Sequence, residues 1–201
     1  MWNLNGGSFS LSLTESAQRG EEICNNYAPK GNEELLMGYG FCIMDNPCDQ
    51  VAISLSEPPS QVYEVLKQSF PASFTTPEWN RNEGTFFLRG RGHYTGGYTH
   101  DLPCLRGLPP EFFVAILELV RLSFSKRTGE EPPSDQELVC SSIDSVRFRL
   151  HQNRNDIAAW IPTLPDGPQN IRQVYSKIYR DGQLRILEEI IEELSEYLDA
   201  F

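Results

Sequence analysis

Gly20-Glu21-Glu22-Ile23-Cys24-Asn25-Asn26-Tyr27, continued past Ala28-Pro29 by Lys30-Gly31-Asn32-Glu33-Glu34-Leu35-Leu36-Met37-Gly38-Tyr39-Gly40-Phe41, is the stretch on which the reading of this 201-residue chain turns. Glu22 to Tyr27 reads as a short extended run, and Ala28-Pro29-Lys30-Gly31 breaks it. Asn32 then stands where it can cap a short helix, Glu33 to about Gly38, whose first-turn carboxylates suit the helix dipole. Tyr39-Gly40-Phe41 closes that helix. Two tyrosines and a phenylalanine grouped around a compact turn and helix could line one pocket, with Gly40 letting backbone approach a ligand. Aromatic rings so placed can stack on a purine or surround a cation. Spacing alone describes equally well tyrosines buried at the ends of elements, which is the commoner situation.

Outward from this stretch the first fifty-odd residues read as short strands and turns. Ser8 to Leu13 alternates polar and apolar, a half-buried strand preceded by a Gly6-Gly7 turn signal, and Val51 to Leu55 is another strand. From Pro58 the character changes to helices with long loops. Ser60 can cap a helix to about Ser69. Phe70 to about Pro110 is rich in Pro, Gly, Thr and aromatics, and reads as irregular apart from a strand at Thr85-Leu88. Pro109-Pro110 opens a helix to about Ser125 with an apolar face of Phe112, Phe113, Ile116, Leu117, Val120 and Leu122. Ser134 and Glu137 form a capping-box pattern for a helix reaching Arg149 or beyond. A last helical region begins at Pro168. In it Leu184, Leu187, Ile190, Ile191, Leu194 and Leu198 recur at helical spacing, opposite a glutamate-rich face that reads as solvated.

Composition narrows the function classes. Apolar residues make up 39% and charged residues 22%, so a core can form. The net charge of -11 opposes nucleic-acid binding, permits a basic protein partner, and by itself means no more than solubility. Five cysteines, Cys24, Cys42, Cys48, Cys104 and Cys140, show no zinc spacing and read as free thiols of a reducing compartment. The opening MWNLNGGSFS has neither a basic region nor an apolar run, and no stretch is long enough to span a membrane, so cytosol or nucleus is expected. Gly90 to Gly97 looks like a glycine-rich nucleotide loop without the surrounding βαβ pattern and reads as a surface loop. His93, His100 and His151 have no partner at catalytic or metal-ligand spacing.

The wording of the opening stretch, beyond its spacing, resembles the C-terminal motif of SET-type protein-lysine methyltransferases. It is most similar to the Rubisco large-subunit methyltransferase-like class and its fungal relatives that methylate ribosomal proteins and elongation factors. That class carries a GE(E/Q)-x-x-x-x-Y strand, a K-x-N-E-E-L-L helix and a YGF end. Asn46-Pro47-x-Asp49-x-Val51, Trp2 and Gly7-x-Phe9-x-Leu11 also fit, so the match covers about the first 55 residues. Tyr179-Arg180-x-Gly182-Gln183-x-x-Ile186-Leu187 resembles, more weakly, the helical substrate-binding domain that follows SET in this class.

The resemblance implies an α+β fold with short strands of the C-terminal SET half over residues 1–57 and a mainly helical, substrate-binding-like domain over 58–201. It implies S-adenosyl-L-methionine as cofactor, no metal, and a protein substrate bearing a target lysine, of the ribosomal-protein or elongation-factor kind, with no nucleic acid and no membrane. Tyr27 matches the catalytic tyrosine where the sulfonium methyl meets the lysine amine, and so touches both cofactor and substrate. Tyr39 matches a wall of the lysine channel, while Gly40 and Phe41 fall on the cofactor side, Phe41 near the adenine. In this class a Gly-rich cofactor loop, an inserted helical segment and an Asn-His pair lie upstream of the matched strand, and none of them occurs here. The chain is therefore expected to represent the C-terminal part of such an enzyme and to bind the cofactor weakly or not at all by itself. A non-catalytic protein-binding helical module with a vestigial SET edge is the other reading.

Overall fold

The apolar periodicities of the second half become three long helices around one core. The computed structural model describes residues 2–5, 8–11, 15–23, 28–55, 58–71, 84–90, 105–126, 133–159 and 170–200. In chain order the elements are β1 (Trp2–Asn5), β2 (Ser8–Leu11), α1 (Asn32–Tyr39), β3 (Val51–Ser54), α2 (Ser60–Ser69), β4 (Thr85–Leu88), α3 (Pro110–Ser125), α4 (Asp135–Ala159) and α5 (Ile171–Asp199). The class is α+β, as expected.

β1 and β2 form an antiparallel pair with Trp2 opposite Leu11, and β3 pairs antiparallel with β4, Val51 opposite Leu88 and Ile53 opposite Phe86. The period-2 pattern of β3 puts Val51 and Ile53 inside and Ala52 and Ser54 outside. Phe86 and Leu88 of β4 face the same core.

α3 lies at the centre. Its run Phe112, Phe113, Val114, Ala115 and Ile116 is buried all round, which only a helix covered on several sides tolerates. α2 sets Val62 and Leu66 against it, and α4 packs along both α3 and α5. α5 contributes Ile186, Leu187, Ile190, Ile191 and Leu194, the seam expected from its spacing. Each such side chain contributes about 1.5–3 kcal/mol when fully buried. Glu193 is buried on the same helix because its carboxylate accepts from the backbone N–H groups of Arg106 and Gly107, at 2.6 and 2.7 Å. Those two donors would otherwise be orphaned beside the core.

Helix starts show where local reading works. The Ser134–Glu137 capping box forms as expected, with Glu137 N–H donating to Ser134 Oγ at 3.2 Å and Ser134 N–H to Glu137 at 2.8 Å. The Ser134 N–H and then its hydroxyl, both donating to the Glu137 carboxylate at 2.8 Å, hold that carboxyl below its usual range. α4 then runs on to Ala159. α5 begins not at Pro168, which lies outside the described residues, but after a second capping box of Asn170 and Gln173. Ser60 is not a cap: Pro59 holds that place, with no side-chain bond. Of the extended run expected from Glu22 to Tyr27, Glu22 and Ile23 are exposed and belong to no strand, and residues 24–27 lie outside the described residues. So do Ser12, Leu13, and the glycine-rich stretch beyond Gly90 with His93 and His100. No helix among the described residues is long and apolar enough to cross a membrane.

Candidate functional site

α1 opens on Gly31 and not on Asn32, whose side chain is engaged elsewhere. Asn32 is only 1% exposed. Its backbone N–H donates to Asp49 Oδ1 at 2.5 Å, and its Nδ2 donates to Asp49 Oδ2 and to the Ile43 carbonyl, both at 2.8 Å. Ile43 N–H in turn donates to Asn32 Oδ1 at 2.7 Å. Asn46, also buried, donates to the Lys30 carbonyl at 2.8 Å and accepts from Cys48 N–H at 3.0 Å. One buried carboxylate and two buried amides thus fold the loop from Cys42 to Asp49 back onto the start of α1. Buried polar groups survive only when satisfied in this way. Burial, and then the Asp49 carboxylate, push the Cys42 thiol above its ordinary pKa.

At the other end of α1, Gly40 takes φ +78°, a left-handed cap whose N–H donates to the carbonyls of Leu35 and Leu36 at 3.0 and 3.1 Å. That conformation, which side-chain-bearing residues adopt at a cost, accounts for glycine here without any ligand. It turns the chain so that the Tyr39 and Phe41 rings meet, centroids 6.3 Å apart and tilted by 60°. Both rings are exposed, as are Met37, Ile43 and Met44 nearby. Most of the exposed large apolar side chains among the described residues are gathered here, a pattern that marks a surface built to be covered.

α5 closes the back of this site with the segment whose wording the sequence singled out. A side chain at Gly182 would place its Cβ 2.8 Å from Asp49 Oδ2, so helix and carboxylate approach as closely as glycine permits. Gln183 donates to the Gln50 carbonyl at 2.8 Å, and Arg185 pairs with Asp45. A groove of about 430 Å³ lies between this face of α5 and the loop, lined by Met44, Asp45, Asp49, Ile178 and Gly182 among others.

Tyr179 is pushed up to about 12 by burial first, then by Glu33, Asp49 and Cys42. A raised tyrosine pKa means the folded chain holds its proton where the unfolded chain, near pH 10, has released it. The unfolded state binds fewer protons in that window, so stability falls as pH rises from about 10 toward 12. Tyr179→Phe is expected to flatten that fall in urea titrations run across the window. Tyr197, raised mainly by burial, leaves a residual slope.

Of the residues singled out in the sequence, Tyr39, Gly40 and Phe41 come together at one end of α1, while Tyr27 lies outside the described residues. Asn32 stands in the sequence at a cap position and Asp49 within a motif; their bond to each other and the pressure of Gly182 on the pair arise only in the fold. The signal available was the wording itself, Asn32, Asn46-Pro47-x-Asp49 and Gly182 each standing in a matched segment. Cys42, Cys48 and Cys140 are free thiols. Among the described residues no group of three His, Cys, Asp or Glu could hold a metal ion.

The chain is similar to two characterised proteins. It is 29% identical over 201 residues to a protein of Schizosaccharomyces pombe named ribosomal lysine N-methyltransferase set10, covering 96% of this chain and 34% of that protein. It is 27% identical over 211 residues to ribosomal lysine N-methyltransferase 1 of Saccharomyces cerevisiae, again covering 96% and 34%. The chain thus spans about a third of the length of the relatives it matches. No family model matches the chain, and no solved structure matches it significantly.

Proposed function

We propose that this chain is the C-terminal part of an S-adenosylmethionine-dependent, SET-type protein-lysine N-methyltransferase acting on a ribosomal protein in the cytosol or nucleus. The observation that carries the reading is the similarity to two ribosomal lysine N-methyltransferases along 96% of the chain. The motif wording from Gly20 to Phe41 points the same way. In this reading residues 1–57 belong to the SET part, and 58–201 to a helical domain that binds the protein substrate.

The described residues fit such a cofactor. Two exposed rings beside the unencumbered Gly40, under an acidic chain, suit a purine and a sulfonium cation. Gly40 and Phe41 would hold it together with Tyr27, and Tyr39 would wall the path of the lysine. When bound, S-adenosylmethionine supplies an electrophilic methyl group. The chain's own task is placement, since an in-line displacement depends on alignment above all. The target lysine must also arrive unprotonated, although its pKa in water is about 10.4. Desolvation between Tyr39 and Tyr27 lowers that value, because burial disfavours the ammonium form. The Tyr27 hydroxyl can then accept a hydrogen bond from the neutral amine and aim its lone pair.

The test is transfer of a labelled methyl group from S-adenosylmethionine to lysines of a ribosomal protein fraction by the protein at its full natural length. Mass spectrometry of the products identifies the modified residue. Tyr27→Phe is expected to lower the rate by roughly a hundredfold, the scale of a lost alignment contact. A wild-type rate in that variant removes Tyr27 from its role. No transfer by the unaltered protein refutes the enzyme reading and leaves the protein-binding module.

A further inference from the structure

We propose that Asp49 is a positioning residue for the aromatic end of α1, and that through it the seat of α5 at Gly182 sets where Phe41 lies. The catalytic consequence of this proposal rests on the methyltransferase reading, whereas the mechanical linkage does not.

The segment from Gly40 to Ile43 belongs to no helix or strand. Phe41 is 36% and Ile43 48% exposed, so among the described residues neither is locked into the core. Among the described residues the segment is held by hydrogen bonds at its two ends and by the buried Cys42 between them, whose Sγ donates to the Asn32 carbonyl at 4.0 Å. Gly40 N–H is tied to the last turn of α1 at 3.0 and 3.1 Å, and both backbone groups of Ile43 are gripped by the Asn32 amide at 2.7 and 2.8 Å. The amide is held in that orientation by Asp49, which receives its other N–H at 2.8 Å, with Asn46 Nδ2 donating more weakly to Oδ1 at 3.5 Å. A carboxylate accepts and never donates, so Asp49 forces the Asn32 NH2 group to face it and leaves Oδ1 for Ile43 N–H.

Asp49, 4% exposed, has little freedom of its own. Both oxygens of its carboxylate take N–H groups of Asn32, and Oδ2 also abuts the α5 backbone at Gly182, where an added Cβ would sit 2.8 Å away. The order of contact is therefore Gly182, Asp49, Asn32 and Ile43, from which the backbone leads through Cys42 to Phe41. It joins the helix read as substrate-binding to the ring read as cofactor-binding. In a buried, low-dielectric setting such bonds are stiff, so a displacement at one end is passed along and not absorbed.

The test places 4-fluorophenylalanine at position 41 of the whole chain and reads its fluorine resonance in three variants. Gly182→Ala adds one methyl against Asp49 and favours the helix. Asp49→Asn keeps the shape but turns an N–H toward the Asn32 amide or toward its backbone N–H. Glu193→Gln loosens a different contact of the same helix, the one with Arg106 and Gly107. The first two are expected to move the resonance and the third to leave it in place. A resonance unmoved by Gly182→Ala in a folded chain, or moved equally by Glu193→Gln, overturns the proposal. Should Asp49→Asn fail to fold, Gly182→Ala decides alone.

In the full-length protein Gly182→Ala is expected to lower kcat/KM for S-adenosylmethionine by about tenfold, since displacements on the order of 1 Å cost up to roughly a hundredfold. An unchanged kcat/KM beside a moved resonance overturns the positioning role. Absence of transfer by the unaltered protein refutes the function proposed above and leaves the linkage to be decided by the fluorine spectra.

Discussion

Asn32→Leu is expected to destabilise the chain by about 3 kcal/mol or more, although leucine has nearly the same volume and more apolar surface. The replacement deletes four hydrogen bonds, to Asp49 Oδ2, to the Ile43 carbonyl, from Ile43 N–H and from Asn46 Nδ2. It leaves Asp49 with the backbone N–H of residue 32, one remaining donor for a carboxylate that is 4% exposed. Each orphaned buried group costs about 1–3 kcal/mol, and a buried charge stripped of a partner about 3–5. Burying the new leucine returns about 1.5–3 kcal/mol, so the polar loss wins. In a domain of this size about 3 kcal/mol corresponds to a fall in Tm of roughly 6–12 °C. Calorimetry of the two chains measures it. A Tm within a degree of the parent would mean that the amide is not what ties the loop to α1.

This cluster also marks the boundary of what the sequence could reveal. A capping box is local: Ser134 and Glu137 lie three positions apart and fix each other whatever surrounds them, and that helix start was legible. Asn32 has the same chemistry and an ordinary place before an apolar helix, yet its partner is 17 residues away at Asp49. Nothing in spacing ranks a distant carboxylate above the nearby backbone. The helical seams were legible for the same local reason, since Ile186, Leu187, Ile190 and Leu194 recur at helical intervals and are buried as that recurrence requires. On α3 the pattern promised Leu117, Val120 and Leu122 as core as well, and these are only partly buried, because the neighbouring helices cover its first half most fully.

The aromatic site was half legible. The wording Tyr39-Gly40-Phe41 placed two rings at one helix end, and they are there. That Gly40 serves the turn through a positive φ, and that Gly182 on the last helix bears on Asp49, depend on backbone conformation and on a contact between residues 133 positions apart, the separation also bridged by Gln183 and Gln50. Resemblance supplied the residue types, and folding supplied the order in which they touch.

Phe112→Ala is expected to have the largest effect on stability, about 3–5 kcal/mol. The ring is fully buried at the start of α3, with its centroid 5.3 Å from that of Phe86 on β4 at an interplanar angle of 52°. Its removal opens a void where the central helix, the β3–β4 pair and the surrounding helices converge, so no single element can shift to fill it without disturbing the others. Collapse is thereby limited, and the cost belongs near the upper part of the range. The loss of the tilted ring pair contributes about 0.5–1.5 kcal/mol of that total. Phe148→Ala is the control: the same deletion at a ring that is 65% exposed on α4 should stay within about 0.5 kcal/mol. Urea unfolding of both variants separates the cases. Phe112→Ala should lower the midpoint with the slope m unchanged, as for a native-state loss, and equal midpoints for the two variants would contradict the placement of α3 at the centre of the fold.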